Sequence, residues 1–415
     1  LKGELKNFKQ ISAKELWKKM LRSLFETGHP WVTFKDPSNS RYSNQHEGVV
    51  HSSNLCTEIL LHTKPTRYKN EANRTVKEFG ETAVCNLGSI NLRNHLIRIM
   101  NDETNLPGWD VDWKKLKSTI SVAMRMLDNV IDINFYPTEE ARKSNTRHRP
   151  VGLGSMGWHD LFYNLGILFD SEEATALSDK MYEFISYHSI LASSRLAKER
   201  GKYDSYDGSL WSQNIFPIDT YSRLMKSRGA SGYTTKETYC EGEACWDYLR
   251  NQVKRYGMRN SNTMAIAPTA TISSIVGCSP SIEPRYSVLF VYSTLSGEFT
   301  MVNEYFVDEL KKLDLWNHQM LDLIKQHDGD LTNIEQIPQQ VKDKFKTAFQ
   351  QDQFKMIDAA AARQKWIDMG QSLNLYNSET SLKYMNDLYT HAWQTGLKTT
   401  YYLRNKAASK IEKST

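Results

Sequence analysis

Short runs rich in β-branched and small residues alternate along this chain with long amphipathic stretches, and that alternation restricts the fold more than any other feature. "TAVCNLGSINL" (residues 82–92) reads as a strand. Apolar residues Trp113, Leu116, Ile120, Ala123, Leu127 and Val130 then recur at helical spacing within a run from Asp110 to Asn134, which Pro137 closes. After "RPVGLGSMGWHDLF" a capping box from Asp170 to Glu173 opens a second long helix that ends near Gly201. "NTMAIAPTATISSIVG" and "RYSVLFVYS" are the next strand signals. Residues 300–396 are mostly helical, with Thr380 capping the last run, and "LKTTYYLRN" is the final strand. Ahead of all this, "SAKE" (residues 12–15) caps a helix through Phe25, and "WVTF" reads as a short strand. Strands separated by helices predict a parallel α/β sheet in one continuous domain. No linker, low-complexity tract or internal repeat interrupts it, and the last residues, "KAASKIEKST", read as a frayed end.

With 415 residues, of which 40% are hydrophobic and 24% charged, the chain can bury a large core. No apolar stretch approaches the ~20 residues of a membrane helix, and the charged first residues lack a secretory signal's apolar centre. A cytoplasmic protein is expected. The net charge of +5 is interleaved with acids, so it marks no nucleic-acid surface and suits an anionic small substrate equally well. Five cysteines are too few to staple such a chain, and the odd number leaves a thiol free, which fits a reducing compartment. Cys240 and Cys245 lack a second Cys or His pair at ligand spacing, so no metal site is expected there.

"SSNLCTEI" (residues 52–59) is the most reactive stretch. On an extended strand Asn54, Cys56 and Glu58 share one face, and Leu55, Thr57 and Ile59 the other. Cys56 alone reads as a small buried hydrophobe. Between an amide and a carboxylate, however, a thiol can do chemistry while the carboxylate acts as base and the amide orients a polar substrate. Cys85 is either a core residue or a redox partner. "GLGSMG" (residues 152–157) matches G-x-G-x-x-G, but no strand precedes it and no suitable acid follows. Its glycines read instead as places where a strand passes close to its neighbours. "APTATISSIVG" (residues 267–277) offers hydroxyls and a helix start, either an ordinary capped turn or a phosphate cradle. Tyr401 and Tyr402 are either β-favouring aromatics or two redox phenols in series.

"SNLCTEI", "AVCNL", "RPVGLG", "APTATISSI" followed by "SIEP", "SLNLY" and "GLKTTYYLR" stand in the order found in the large subunit of class I ribonucleotide reductase, which the chain resembles from "TGHPWVTFKD" to "YYLRN". The resemblance implies the second half of that family's ten-stranded α/β barrel, with its thiyl-radical finger loop, over residues 1–404 and a frayed segment at 405–415. It also implies reduction of ribonucleoside diphosphates. Cys56 resembles the thiyl radical that takes hydrogen from ribose C3′, Glu58 the base at the 3′-hydroxyl, and Asn54 the orienting amide. Cys85 resembles one half of the thiol pair that supplies electrons. Pro268, Thr269, Ala270, Thr271, Ile272 and Ser273 resemble the loop that holds the substrate diphosphate. Tyr401 and Tyr402 resemble the stacked pair through which the radical arrives, Tyr402 nearer the partner.

Implied with these are no cofactor or metal bound directly, a radical from a metal-containing small subunit, and an external dithiol reductant of thioredoxin or glutaredoxin type. The family's nucleotide-sensing cone, first half-barrel, second redox cysteine and re-reducing tail have no counterpart in these residues. A split or trimmed large subunit that needs its N-terminal half is therefore expected. The alternatives are a fragment of the cobalamin-dependent class, against which the tyrosine pair speaks, and an inactive half-subunit kept as a binding or regulatory module.

Overall fold

The computed structural model describes residues 7–71, 74–100, 107–230, 236–242, 244–294 and 297–406. Helix α1 (Ala13–Thr27) starts where the sequence puts it: the Ser12 side chain accepts from the backbone N–H of Glu15, and Gly28 ends the helix in the left-handed region. The next long helix, α2 (Trp113–Ile133), begins later than its apolar pattern predicts. Residues 107–111 instead pair antiparallel with 96–100, and Asp112 caps the helix. Its buried face is Leu116, Ile120, Met124, Leu127 and Ile131; Val130 is exposed.

Helix α3 (Glu172–Arg200) is capped by Ser171, not by Asp170. The Asp170 carboxylate accepts from Lys346 Nζ at 3.0 Å and from the Asp352 N–H at 3.1 Å, so tertiary contacts draw it away from the helix end. Ser381, not Thr380, likewise caps the last helix, α6 below.

A wall of parallel segments runs through the molecule in chain order. Strand β1 (Leu87–Asn91) pairs in parallel with β2 (Gly152–Met156). Residues 263–266 continue the wall through bridges from Leu153 to Met264 and from Ile266 to Gln371. Strand β3 (Leu375–Asn377) pairs in parallel with β4 (Leu403–Asn405). Helices fill each crossover: α2 and α3, then α4 (Ala270–Val276) and α5 (Gln353–Gln364), then α6 (Leu382–Gln394). This is the α/β arrangement the alternation predicts. "WVTF" contributes a single bridge, Thr33 to Thr399, and no strand. No described helix is long and apolar enough to cross a membrane.

The glycines of "GLGSMG" serve the wall. A Cβ on Gly152 would stand 2.9 Å from Ala265 Cβ, and one on Gly154 would stand 2.5 Å from the Ala265 carbonyl oxygen. Strand β2 is buried throughout because the neighbouring segment lies against it at that distance.

Candidate active site

The segment around Cys56 is a turn, not the extended strand that alternation predicts. Thr57 takes φ of 69°, in the left-handed region, and its N–H donates to the Asn54 carbonyl at 3.2 Å. The three polar side chains still converge, but through hydrogen bonds across the turn. Asn54 Nδ2 donates to Glu58 Oε2 at 2.9 Å, and Asn54 Oδ1 accepts from the Ile59 N–H at 3.0 Å. Ser372, at the other end of the chain, donates to the Cys56 carbonyl at 2.6 Å and lies 3.2 Å from Glu58 Oε2. Beside it the Gly370 N–H donates to the Glu58 carbonyl at 2.8 Å. Glycine is required at that position, because a Cβ would fall 2.7 Å from the Thr57 carbonyl oxygen.

The thiol points at a phenol. Tyr401 Oη lies 3.6 Å from Cys56 Sγ, within reach of a hydrogen bond to sulfur. The Tyr401 and Tyr402 rings have centroids 4.3 Å apart, tilted by 52°. Adjacent residues can meet in this way only off regular strand geometry, and the pair stands just before β4 begins at Leu403. Trp31 packs on both rings with centroids at 5.2 Å, and the Arg404 guanidinium lies 4.1 Å from the centre of the Tyr402 ring.

Burial raises the pKa of the Cys56 thiol; the Tyr401 bond offsets part of the rise and the Glu58 charge adds to it. Cys56 is therefore a thiol, not a thiolate, at neutral pH. Burial also raises Glu58, against the hydrogen bonds from Asn54 and Ser372. Tyr401 is raised by burial and by its Cys56 and Tyr402 neighbours. Cys85 is open to solvent at its surface, yet desolvation by the protein around it pushes its thiol up to about 11, and the charge of Glu58 adds to the rise.

Thr269, at φ of 52°, turns the chain into α4, and its hydroxyl accepts from the Ser281 N–H at 2.7 Å. A cavity of about 420 Å³ is lined by Pro268, Ala270 and Ser273 on one side and by Tyr401, Tyr402 and Arg404 on another. Thr269 does not line it, and Thr271 and Ile272 are exposed. Asn54, Cys56 and Glu58 are not part of this cavity's wall; they adjoin it through Tyr401.

Three residues at this site were not singled out in the sequence: Ser372, Trp31 and Glu283. Glu283 also lines the cavity, where burial pushes its carboxyl up to about 7 and Tyr376 Oη donates to it at 2.7 Å. "SLNLY" and "SIEP" contain Ser372 and Glu283, but only the fold brings them here. Cys240 and Cys245 face one another across a short hairpin as a disulfide.

A half-buried thiol thus stands against a pair of packed phenols, beside the parallel α/β wall. The chain matches the family described as ribonucleotide reductase, barrel domain, over residues 2–403. It belongs to that family. It is 51% identical over 412 residues to the ribonucleoside-diphosphate reductase subunit alpha of Chlamydia pneumoniae, covering 99% of this chain and 37% of that protein. It is 36% identical to the large subunit of Acanthamoeba polyphaga mimivirus and 35% identical to that of Arabidopsis thaliana, covering 42% and 48% of those proteins. The chain thus spans less than half the length of these relatives.

Proposed function

We propose that this chain carries the reducing site of a ribonucleoside-diphosphate reductase. The supporting observation is the 3.6 Å approach of Tyr401 Oη to Cys56 Sγ, with the Tyr402 ring behind it and Glu58 and Asn54 beside the thiol. An oxidising equivalent reaching Tyr402 passes to Tyr401 and leaves Cys56 as a thiyl radical. The thiyl takes a hydrogen atom from ribose C3′ while Glu58 accepts the 3′-hydroxyl proton and Asn54 orients the sugar. The loop at 268–273 holds the diphosphate. Cys85 supplies electrons with a second cysteine from the rest of the large subunit, and an external dithiol re-reduces the pair.

The oxidising equivalent comes from a metal-containing small subunit; no metal or cofactor is assigned to this chain, and the reaction is cytoplasmic. The N-terminal half completes the barrel. Among the described residues β1 has only β2 as a ladder partner, and an open sheet edge favours association. The seam should exceed the ~1,600 Å² of a standard interface, because a core is being closed.

The test combines the chain with its N-terminal half, the small subunit and a dithiol, and measures deoxyribonucleotide. Cys56→Ser should give no product with an unchanged fold; product from that variant would overturn the proposal. Full activity without the N-terminal half would overturn the half-barrel assignment alone.

A further inference from the structure

A cavity of about 1010 Å³ opens between the first turns of α2, the first half of α3 and residues 238–241, and none of the residues assigned to the reaction lines it. One wall is aromatic: Trp113 and Phe184 have centroids 4.9 Å apart, and Phe184 and Tyr239 5.3 Å. Lys114, Lys117 and Lys180 supply positive charge to the same cavity.

The carboxylates here are already committed. Glu183 accepts from the Tyr239 N–H at 2.7 Å and from Trp246 Nε1 at 3.0 Å, which holds the 238–241 wall in place. Asp179 accepts from Lys365 Nζ and Trp366 Nε1, both at 2.6 Å. Glu241 accepts from Lys117 Nζ at 2.8 Å and from Tyr239 Oη at 2.9 Å. Among the described residues neither Lys114 nor Lys180 is paired with a carboxylate. Lys180 Nζ lies 5.0 Å from the centre of the Trp113 ring.

We propose that this cavity binds a nucleoside phosphate, with the base against the aromatic wall and the phosphates at Lys114 and Lys180. A π-bearing wall suits a planar base of any identity. Ammonium groups are point charges suited to phosphate oxygens, and more than one lining the same cavity matches a multiply charged group better than a single carboxylate. The volume accommodates both parts of such a ligand. The site is independent of the reaction proposed at Cys56.

The test is lysine acetylation of the full chain read by mass spectrometry, with ATP, adenosine or inorganic triphosphate as probe. Because labelling is read at Lys114 and Lys180 themselves, nucleotide bound elsewhere does not register. ATP should slow labelling of both at least five-fold, at concentrations where adenosine and triphosphate do not. Trp113→Leu, with its fold checked by circular dichroism, should raise the ATP concentration needed at least ten-fold. Equal protection by triphosphate alone, or none by ATP, would overturn the proposal. In a second measurement, equilibrium dialysis, the surface double variant K114A/K180A should lose this ATP binding; full retention would also overturn it.

Discussion

Two polar clusters in this chain, each built around a buried glutamate, use similar side chains to opposite ends. In the first, Glu58, Asn54 and Cys56 meet Tyr401. In the second, the ligand-type atoms of Glu47, His62, Glu81 and His148 all lie within 4.8 Å of one another, a composition that would pass for a metal site. The second cluster is saturated. Arg147 bonds Glu47 at 2.7 Å and Glu81 at 2.8 Å, and Lys64 bonds Glu47 at 2.6 Å. Both imidazole Nε2 atoms meet Glu81 Oε2, at 2.9 and 3.0 Å. Two carboxylates are already offset by two cations, so a divalent ion would add uncompensated charge.

The electrostatics separate the clusters. At Glu47 burial opposes ionisation, but the bonds from Arg147 and Lys64 outweigh it and hold the carboxyl down at about 2. Glu81 is also driven well below its ordinary range, because His148, His62 and Arg147 overcome its burial. No cation pairs with Glu58 among the described residues, so burial wins and its carboxyl rises. Reactivity depends less on which residues are gathered than on whether their charges are already compensated.

The largest contrast should come from removing one oxygen. Tyr401→Phe or Tyr402→Phe should lower nucleotide reduction in the reconstituted enzyme by a factor on the order of 1,000, ~4 kcal/mol of barrier. Thermal unfolding of the chain should scarcely move. Retained activity in either variant would make the tyrosine pair a packing feature, like the second cluster.

Glu81→Ala should behave in the opposite way. It leaves two buried imidazoles without their acceptor and removes one of Arg147's carboxylates, so it should cost ~3–5 kcal/mol in denaturant unfolding. Turnover per folded molecule should be unchanged. A loss of turnover without loss of stability would turn the saturated cluster into a functional one.

Acid should separate the two clusters along a single pH axis. Glu58 has a raised folded pKa, so its proton binds more tightly in the folded chain, and the associated stability is present below the ordinary carboxylate value of about 4.3 and lost as pH rises through the folded pKa. Glu47 and Glu81 have depressed values, so their stability is present above about 4.3 and lost as pH falls below it. Between the raised value of Glu58 and about 4.3, turnover should therefore fall while the saturated cluster keeps its contribution to the fold. Glu283, held near 7, titrates in the same direction as Glu58, and Glu283→Gln separates the two. Unfolding that tracks the loss of turnover through this range would refute the distinction.

The sequence carried the second cluster poorly and the first cluster well, but for a reason the structure replaces. Period-2 alternation put Asn54, Cys56 and Glu58 on one face; a left-handed Thr57 brings them together instead, and side-chain bonds hold the turn. The Ser12 cap and the glycines at 152 and 154 were legible because their causes are local or steric. Ser372, Trp31 and the convergence of Glu47, His62, Glu81 and His148 were not, since each depends on contacts between segments far apart in the chain.

Ser372 therefore offers the smallest and most specific test. Its single hydroxyl proton is shared between the Cys56 carbonyl at 2.6 Å and Glu58 Oε2 at 3.2 Å, and its share in the longer contact favours the ionised carboxylate. Ser372→Ala removes both, which should cost ~1 kcal/mol of stability. It should also move the acid limb of the activity profile upward, because Glu58 loses a donor that was opposing its burial. A merely structural serine would lower stability and leave that limb where it was. A downward shift would mean that Glu58 does not set the limb, and the carboxylate beside Cys56 would then belong with Glu81, as a group whose work is holding the fold.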